Sequence, residues 1–222
     1  MNVRMNLTRD RAALFSDCGR YRYQLRSQLD GGSVEEPCLR PVLFVMLNPS
    51  TATELKPDPT VTRCMGFARA LGASELLVAN LFAFRATDRR ELLAVEDPVG
   101  ADNDRLMAAI TACCTGVAAS WCPVHGDCTC PRTETGERES ESLTCPLHAP
   151  NSLHAERLPA TVICAWGEPG PASLNAMIQR RAERVRRLLA DLPLLALATT
   201  KSGAPRHPLY LSSRLEPQEW PR

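Results

Sequence analysis

Four short apolar runs organise the chain, at 41–47, 76–82, 160–166 and 194–198. Their length and near-continuous apolarity predict strands buried on both faces, as in a parallel sheet. Between them, apolar residues recur at helical spacing. From Ser173 onward Leu174, Met177, Ile178, Val185, Leu188, Leu189 and Leu192 share one face. Arg180, Arg181, Arg184, Arg186 and Arg187 take the other, which reads as a solvated face. Val61, Cys64, Phe67, Ala68 and Leu71 predict a shorter helix ending near Gly72, and 102–112 predicts another. Ahead of the first run, Tyr21, Tyr23 and Leu25 alternate with Arg20, Arg22, Gln24 and Arg26. That alternation predicts a half-exposed strand at a sheet edge. Strand and helix in turn define an α/β class: a three-layer α/β/α domain over 1–222 with a mostly parallel, four-stranded central sheet.

One segment breaks this rhythm. Positions 113–159 hold Cys113, Cys114, Cys122, Cys128, Cys130 and Cys145, three of the four histidines and a polar acidic stretch. They read as a Cys/His-rich insertion between a helix and the third strand. Composition decides how those thiols are understood. The 222 residues are 44% hydrophobic, which suits one well-buried core. The first residues carry no apolar stretch of the kind that opens a secretory leader, and no run approaches membrane-spanning length. The expectation is a cytoplasmic protein with no membrane partner. In a reducing compartment, ten cysteines point to metal ligands or buried thiols before disulfides. Cys122-Pro123-Val124-His125 and Cys145-Pro146-Leu147-His148 repeat one Cys-Pro-x-His pattern, each resembling a zinc knuckle. Together they supply four ligands for a closed, structural zinc site, with Cys128 and Cys130 as competing ligands. Basic and acidic residues number 26 and 25, so net charge neither supports nor excludes a nucleic-acid partner.

In open α/β sheets, ligands bind beyond the carboxyl ends of the strands. Polar clusters stand near each of those ends. They are Asn48-Pro49-Ser50-Thr51, Asn80 with Arg85-Ala86-Thr87-Asp88, Gly167-Glu168-Pro169-Gly170, and 201–208 with Lys201, Arg206 and His207. Converging loops of this kind predict a single cleft.

These same residues carry a family resemblance. Asn48-Pro49-Ser50-Thr51-Ala52, Asp58-Pro59-Thr60-Val61, Asn80-Leu81-Phe82-Ala83-Phe84-Arg85, Asp97-Pro98-Val99-Gly100 and 200–211 look like the bacterial "domain of unknown function 1643" family. The order of motifs also resembles the uracil-DNA glycosylase superfamily. Leu47-Asn48-Pro49-Ser50 is similar to its Ile-Asn-Pro-Gly motif. Asn80-Leu81-Phe82-Ala83-Phe84-Arg85 is similar to Asn-Val-Val-Lys-Cys-Arg, and His207-Pro208-Leu209-Tyr210-Leu211 to His-Pro-Ser-Tyr-Leu. That resemblance implies a uracil-DNA-glycosylase-like fold and cleavage of a base–sugar bond in DNA. Asn48 would hold the attacking water and His207 would stabilise the departing base. Pro49, Ser50, Thr60, Asn80, Phe82, Arg85, Lys201 and Arg206 would contact substrate, the arginines and the lysine at phosphates. The sequence departs from the pattern at Leu209, where the motif has Ser, and at Thr60, roughly where a Phe stacks on the base. Both changes suggest a pocket wider than one made for uracil. No cysteine pair near the start matches iron–sulfur ligands. Two other functions fit the same residues: a nucleoside or nucleotide hydrolase, and a non-catalytic, zinc-stabilised nucleic-acid-binding module.

Overall fold

The computed structural model describes residues 3–8, 10–29, 41–114, 121–122, 126–127, 161–168 and 170–221. In chain order the elements are β1 (Val3–Leu7), β2 (Arg11–Ser16), β3 (Arg22–Gln28), β4 (Pro41–Met46), α1 (Pro59–Ala70), β5 (Glu75–Asn80) and α2 (Asn103–Cys114). There follow β6 (Trp121–Cys122), β7 (Gly126–Asp127), β8 (Thr161–Cys164), α3 (Ala172–Leu188), β9 (Leu194–Ala196) and β10 (Gln218–Glu219). Short 3-10 turns cover Arg89–Leu93 and Pro208–Tyr210.

Eight strands form one mixed sheet in the order β1-β2-β3-β5-β4-β8-β9-β10. The four apolar runs supply its parallel centre, β5-β4-β8-β9. The expected four-stranded sheet is therefore extended, by three antiparallel strands beyond β5 and by β10 beyond β9. The expected half-exposed edge strand is a correction. β3 pairs with β2 on one side and β5 on the other, and Arg22, Tyr23, Gln24 and Leu25 are all buried. An alternating pattern normally marks one solvated face; here the polar members of the alternation are buried too, and Arg22 has its own work.

Helices cover both faces because successive strand residues point opposite ways. Phe44, Met46, Leu76, Val78 and Ile163 meet Val61, Cys64, Phe67 and Ala68 of α1. Leu43, Val45, Ala79 and Val162 meet Met107 of α2 and Leu174, Ile178, Val185 and Leu189 of α3. α1 starts where the sequence supplies a cap and a pre-set φ: Asp58 accepts from the Val61 amide at 2.8 Å, and Pro59 takes the first helical position. Cys64 and Cys164 are core thiols, and burial pushes Cys164 up to about 12. The arginine face of α3 is not uniformly solvated. Arg181 is buried, donates to the Leu81 carbonyl at 2.7 Å and pairs with Asp104. Arg186 lies over the Trp220 ring, 3.6 Å from its centroid.

No described helix is long and apolar enough to cross a membrane. Most of the cysteine-rich segment lies outside the described residues, including His125, Cys128, Cys130, Cys145 and His148. Cys122 is placed in backbone only, paired with Gly126 across the β6–β7 ladder.

Candidate functional site

The parallel order has one reversal. From β4 the chain crosses to β5 on one side, while β8 joins β4 on the other. Strand ends diverge at such a point and leave a crevice beyond their carboxyl ends. A cavity of about 550 Å³ opens there, and Asn48, Ser50, Thr60, Asn80, Arg206 and His207 all line it.

Asn48 follows β4 at a turn closed by its own amide. Its Nδ2 donates to the Pro49 carbonyl at 3.0 Å and to the Ala86 carbonyl at 2.8 Å. The Ala86 amide returns a bond to Pro49, which is buried. Both Nδ2 protons are thereby engaged, and the orientation of the amide is fixed. Oδ1 is left as an acceptor on a residue that lines the cavity.

Asn80 closes β5, in parallel register with Met46 of β4. The backbone around it is fully tied: Asn103 Nδ2 donates to the Asn80 and Leu81 carbonyls, and Arg181 adds a second donor to Leu81. The side chain is the opposite. Only 1% of the residue is exposed, yet neither Nδ2 nor Oδ1 has a partner. An orphaned buried polar atom costs roughly 1–3 kcal/mol. Asn80 lines the cavity wall, where such a donor and acceptor can pair with a group that enters it.

His207 comes from the loop after β9. That loop folds back on itself, with Thr200 bonded to Ala204 and Thr199 bridged to Pro205. It then crosses β8, where the Gly167 amide donates to the Pro205 carbonyl. Gly167 has φ +72, in the left-handed region. A Cβ there would lie 3.5 Å from Cβ of His207, an ordinary contact, so backbone conformation and not space asks for glycine. Trp220 pins the loop from below through Nε1 to the Gly203 carbonyl at 2.8 Å, with its ring against Trp166. His207 caps the turn that follows, and its Nδ1 accepts from the Leu209 amide. Nε2 therefore carries the proton of the neutral ring. Burial holds the imidazole below its ordinary pKa, helped by Arg89 and opposed by Asp58. At neutral pH it is an uncharged donor.

Three further groups complete the cavity. Arg22 is buried; Nη1 donates to the Ala52 carbonyl, while Nε has no partner. Burial lowers its pKa to about 10, with Asp58 opposing and Arg85 adding to the fall. Asp58 shares the cavity while capping α1. Glu168 follows β8 and accepts from Thr200 and Ser202. Glu168 belongs to one of the polar clusters expected at the strand ends and Asp58 to a family motif, but neither is among the expected site residues, and Arg22 belongs to no motif. Arg22 is the instructive one: β3 runs antiparallel to β5, so its first residue, not its last, reaches the carboxyl rim. A search for polar residues after strands passes over it. The signal available was an arginine inside an alternating apolar strand.

The remaining expected residues separate. Phe82 is buried in the core and does not reach the cavity. Lys201 is exposed and outside its lining. Arg85 lines a neighbouring, shallower cavity with Phe84. Among the described residues, no three or more His, Cys, Asp or Glu side chains are grouped to hold a metal.

Fold and cleft define a class: a mixed-sheet α/β protein with a polar cleft at its topological switch point. Within that class the chain belongs to the family described as "Protein of unknown function (DUF1643)", whose model matches residues 22–154 and 139–209. The two matched stretches overlap inside the cysteine-rich segment. No curated protein and no solved structure matches the chain.

Proposed function

We propose that the protein is a DNA glycosylase that hydrolyses the base–sugar bond of a flipped-out, modified pyrimidine and leaves an abasic site. The observation that carries this reading is Asn80. It offers an unpartnered donor and acceptor to a cavity that also holds Asn48 and His207, the pair placed by the superfamily resemblance. A nucleobase edge presents the complementary donors and acceptors.

Breaking the bond leaves positive charge on the sugar and carries an electron pair out with the base. His207 donates from Nε2 to the departing base, and the Arg22 guanidinium adds fixed positive charge to the same cavity. Asn48 accepts from a water through Oδ1 and aims it at the anomeric carbon. The water oxygen bonds to that carbon while the base keeps the electron pair of the broken bond; one water proton passes to solvent, the base anion takes one from solvent, and His207 keeps its own. Asp58 and Glu168 supply negative charge to the side where the sugar becomes cationic.

The cavity is larger than a bare pyrimidine requires, and Thr60, roughly where the superfamily resemblance places a stacking Phe, lines it alongside Trp166 and Tyr210. This favours substituted pyrimidines, with the hypermodified or glycosylated cytosines of bacteriophage DNA as the leading class. Anti-phage defence would follow as the role. The test sets DNA containing such cytosines beside unmodified and uracil-containing DNA and measures abasic sites. Sites only in modified DNA are expected. Sites only in uracil DNA would overturn the substrate, and none in any DNA would remove the glycosylase assignment. Turnover of free nucleosides alone would move the assignment to a nucleoside hydrolase. Tight binding without product, unaffected by His207→Ala, would leave a non-catalytic module.

The zinc site is a separate proposal. Cys122, His125, Cys145 and His148 hold one structural zinc, with Cys128 and Cys130 as the other ligands to be tested. Cys122 is paired with Gly126 across the β6–β7 ladder, so the first Cys-Pro-x-His pattern begins on a paired backbone position. Elemental analysis of protein purified without added metal should give about one zinc per chain. Zinc retained in the Cys122→Ser/Cys145→Ser double variant would exclude this ligand set.

A further inference from the structure

The second cavity lies beside the first and shares Ser50, Ala86 and Thr87 with it. Its volume is about 350 Å³, and its other walls are Gly19, Arg20, Thr51, Phe84 and Arg85. Among the described residues, no acidic side chain lines it. Two guanidiniums and three hydroxyls do. The deep cavity next door differs, since Asp58 and Glu168 offset its cations.

Both arginines are held without being neutralised. Arg20 is exposed and stacks on Phe84, 5.5 Å from the ring centroid. Arg85 is half-buried, lies 5.2 Å from the Phe15 centroid and donates from Nη1 to the Gly19 carbonyl at 3.2 Å. Its Nε is buried with no partner at all. Stacking on an aromatic ring fixes the plane of a guanidinium and leaves its charge for an anion. Arginine forks match phosphate geometry through two parallel N–H donors.

We propose that the shallow cavity is a phosphate subsite, in which Arg20 and Arg85 hold a phosphate of the nucleotide whose base occupies the deep cavity. The inference rests on the deep cavity being a base site. The shared wall of Ser50, Ala86 and Thr87 then lies along the sugar, which joins base to phosphate in one ligand. A phosphate within a DNA strand and the phosphate of a free nucleotide have the same chemistry at this point.

Calorimetry with inorganic phosphate, 2′-deoxycytidine, its 3′- and 5′-monophosphates and a single-stranded oligonucleotide tests this on the full chain. Phosphate-bearing probes should bind tighter than the nucleoside. Arg20→Ala should weaken them by about tenfold, the scale of one lost charge-assisted contact, and leave the nucleoside unchanged. For the oligonucleotide, the salt dependence of binding should also fall by about 0.7 in log–log slope. Binding by mononucleotides but not by the oligonucleotide would assign the subsite to free nucleotides. No binding of inorganic phosphate or of any phosphate-bearing probe, or equal binding by wild type and Arg20→Ala, would overturn the subsite. Abasic-site formation is read separately. Intact phosphate binding without base release would count against the glycosylase and leave the subsite standing.

Discussion

Asn80→Leu is expected to raise the stability of the protein while abolishing its activity. Leu has the branched heavy-atom shape of Asn and no polar atoms, and the cavity that Asn80 lines can take its greater bulk. The substitution removes two buried groups that make no hydrogen bond. Each unsatisfied group costs about 1–3 kcal/mol, so the gain should be at least of that order. For a chain of this size each kcal/mol raises Tm by about 2–4 °C. The carbonyls of Asn80 and Leu81 stay bonded to Asn103 and Arg181, so the backbone has no reason to move. Base release should fall on the order of a hundredfold, because the base then meets a hydrocarbon where its edge needs donors and acceptors. Thermal and urea unfolding read the first effect, and abasic-site formation the second. Destabilisation by Asn80→Leu would mean that the amide is satisfied in the native protein, and the base-reading role would go with it.

Asn48→Ala and His207→Ala should each lower base release by about a hundredfold or more, the cost of removing one preorganised group. Asn48→Ala takes one donor from the Ala86 carbonyl, while the Pro49 carbonyl keeps its bond from the Ala86 amide, and Asn48 and Ser50 on either side of Pro49 are half-buried. The fold should survive, as judged by an unchanged circular dichroism spectrum. His207 adds a pH signature. Its folded pKa lies below the ordinary value of about 6.5 because the ring is buried. The native state therefore binds fewer protons than the unfolded state between the two values. Its contribution to stability is complete above about pH 6.5 and is lost as pH falls through the lower folded value. His207→Gln should flatten the stability profile in that acidic window and leave the alkaline side alone. Near-normal base release in both alanine variants would end the assignment of these two residues.

The parallel centre of the fold was readable because its strands are buried on both faces and so are apolar throughout. The helices were readable from spacing, and α1 also from the Asp58-Pro59 start. The flanking strands were less so. β1 and β2 carry no run as continuous as the central four, and β10 has two residues, both exposed. Alternation misplaced β3, because burial of Arg22 and Gln24 depends on neighbours that come from elsewhere in the chain. At the site, Asn48, Asn80 and His207 were legible because each follows a parallel strand. Arg22 was not, since it enters from an antiparallel strand running the other way. Phe82 illustrates the converse. It sits in the motif, but β4–β5 pairing continues one step past the strand ends, with its amide bonded to Leu47, and turns its ring into the core.

The parallel centre also sets where the cysteine-rich segment joins the sheet. Every loop of the cleft leaves the carboxyl rim of the sheet. The cysteine-rich segment does not: it departs from the far end of α2, at Cys114, and rejoins the sheet at the first residue of β8. α2 has 12 residues, about 18 Å of helix, and its start is tied beside Asn80. The two chain crossings thus stand at the opposite rim, a helix length from the cleft. Lengthening or shortening the chain between Cys114 and Thr161 is therefore expected to leave the cleft's geometry unchanged, because neither attachment point lines it.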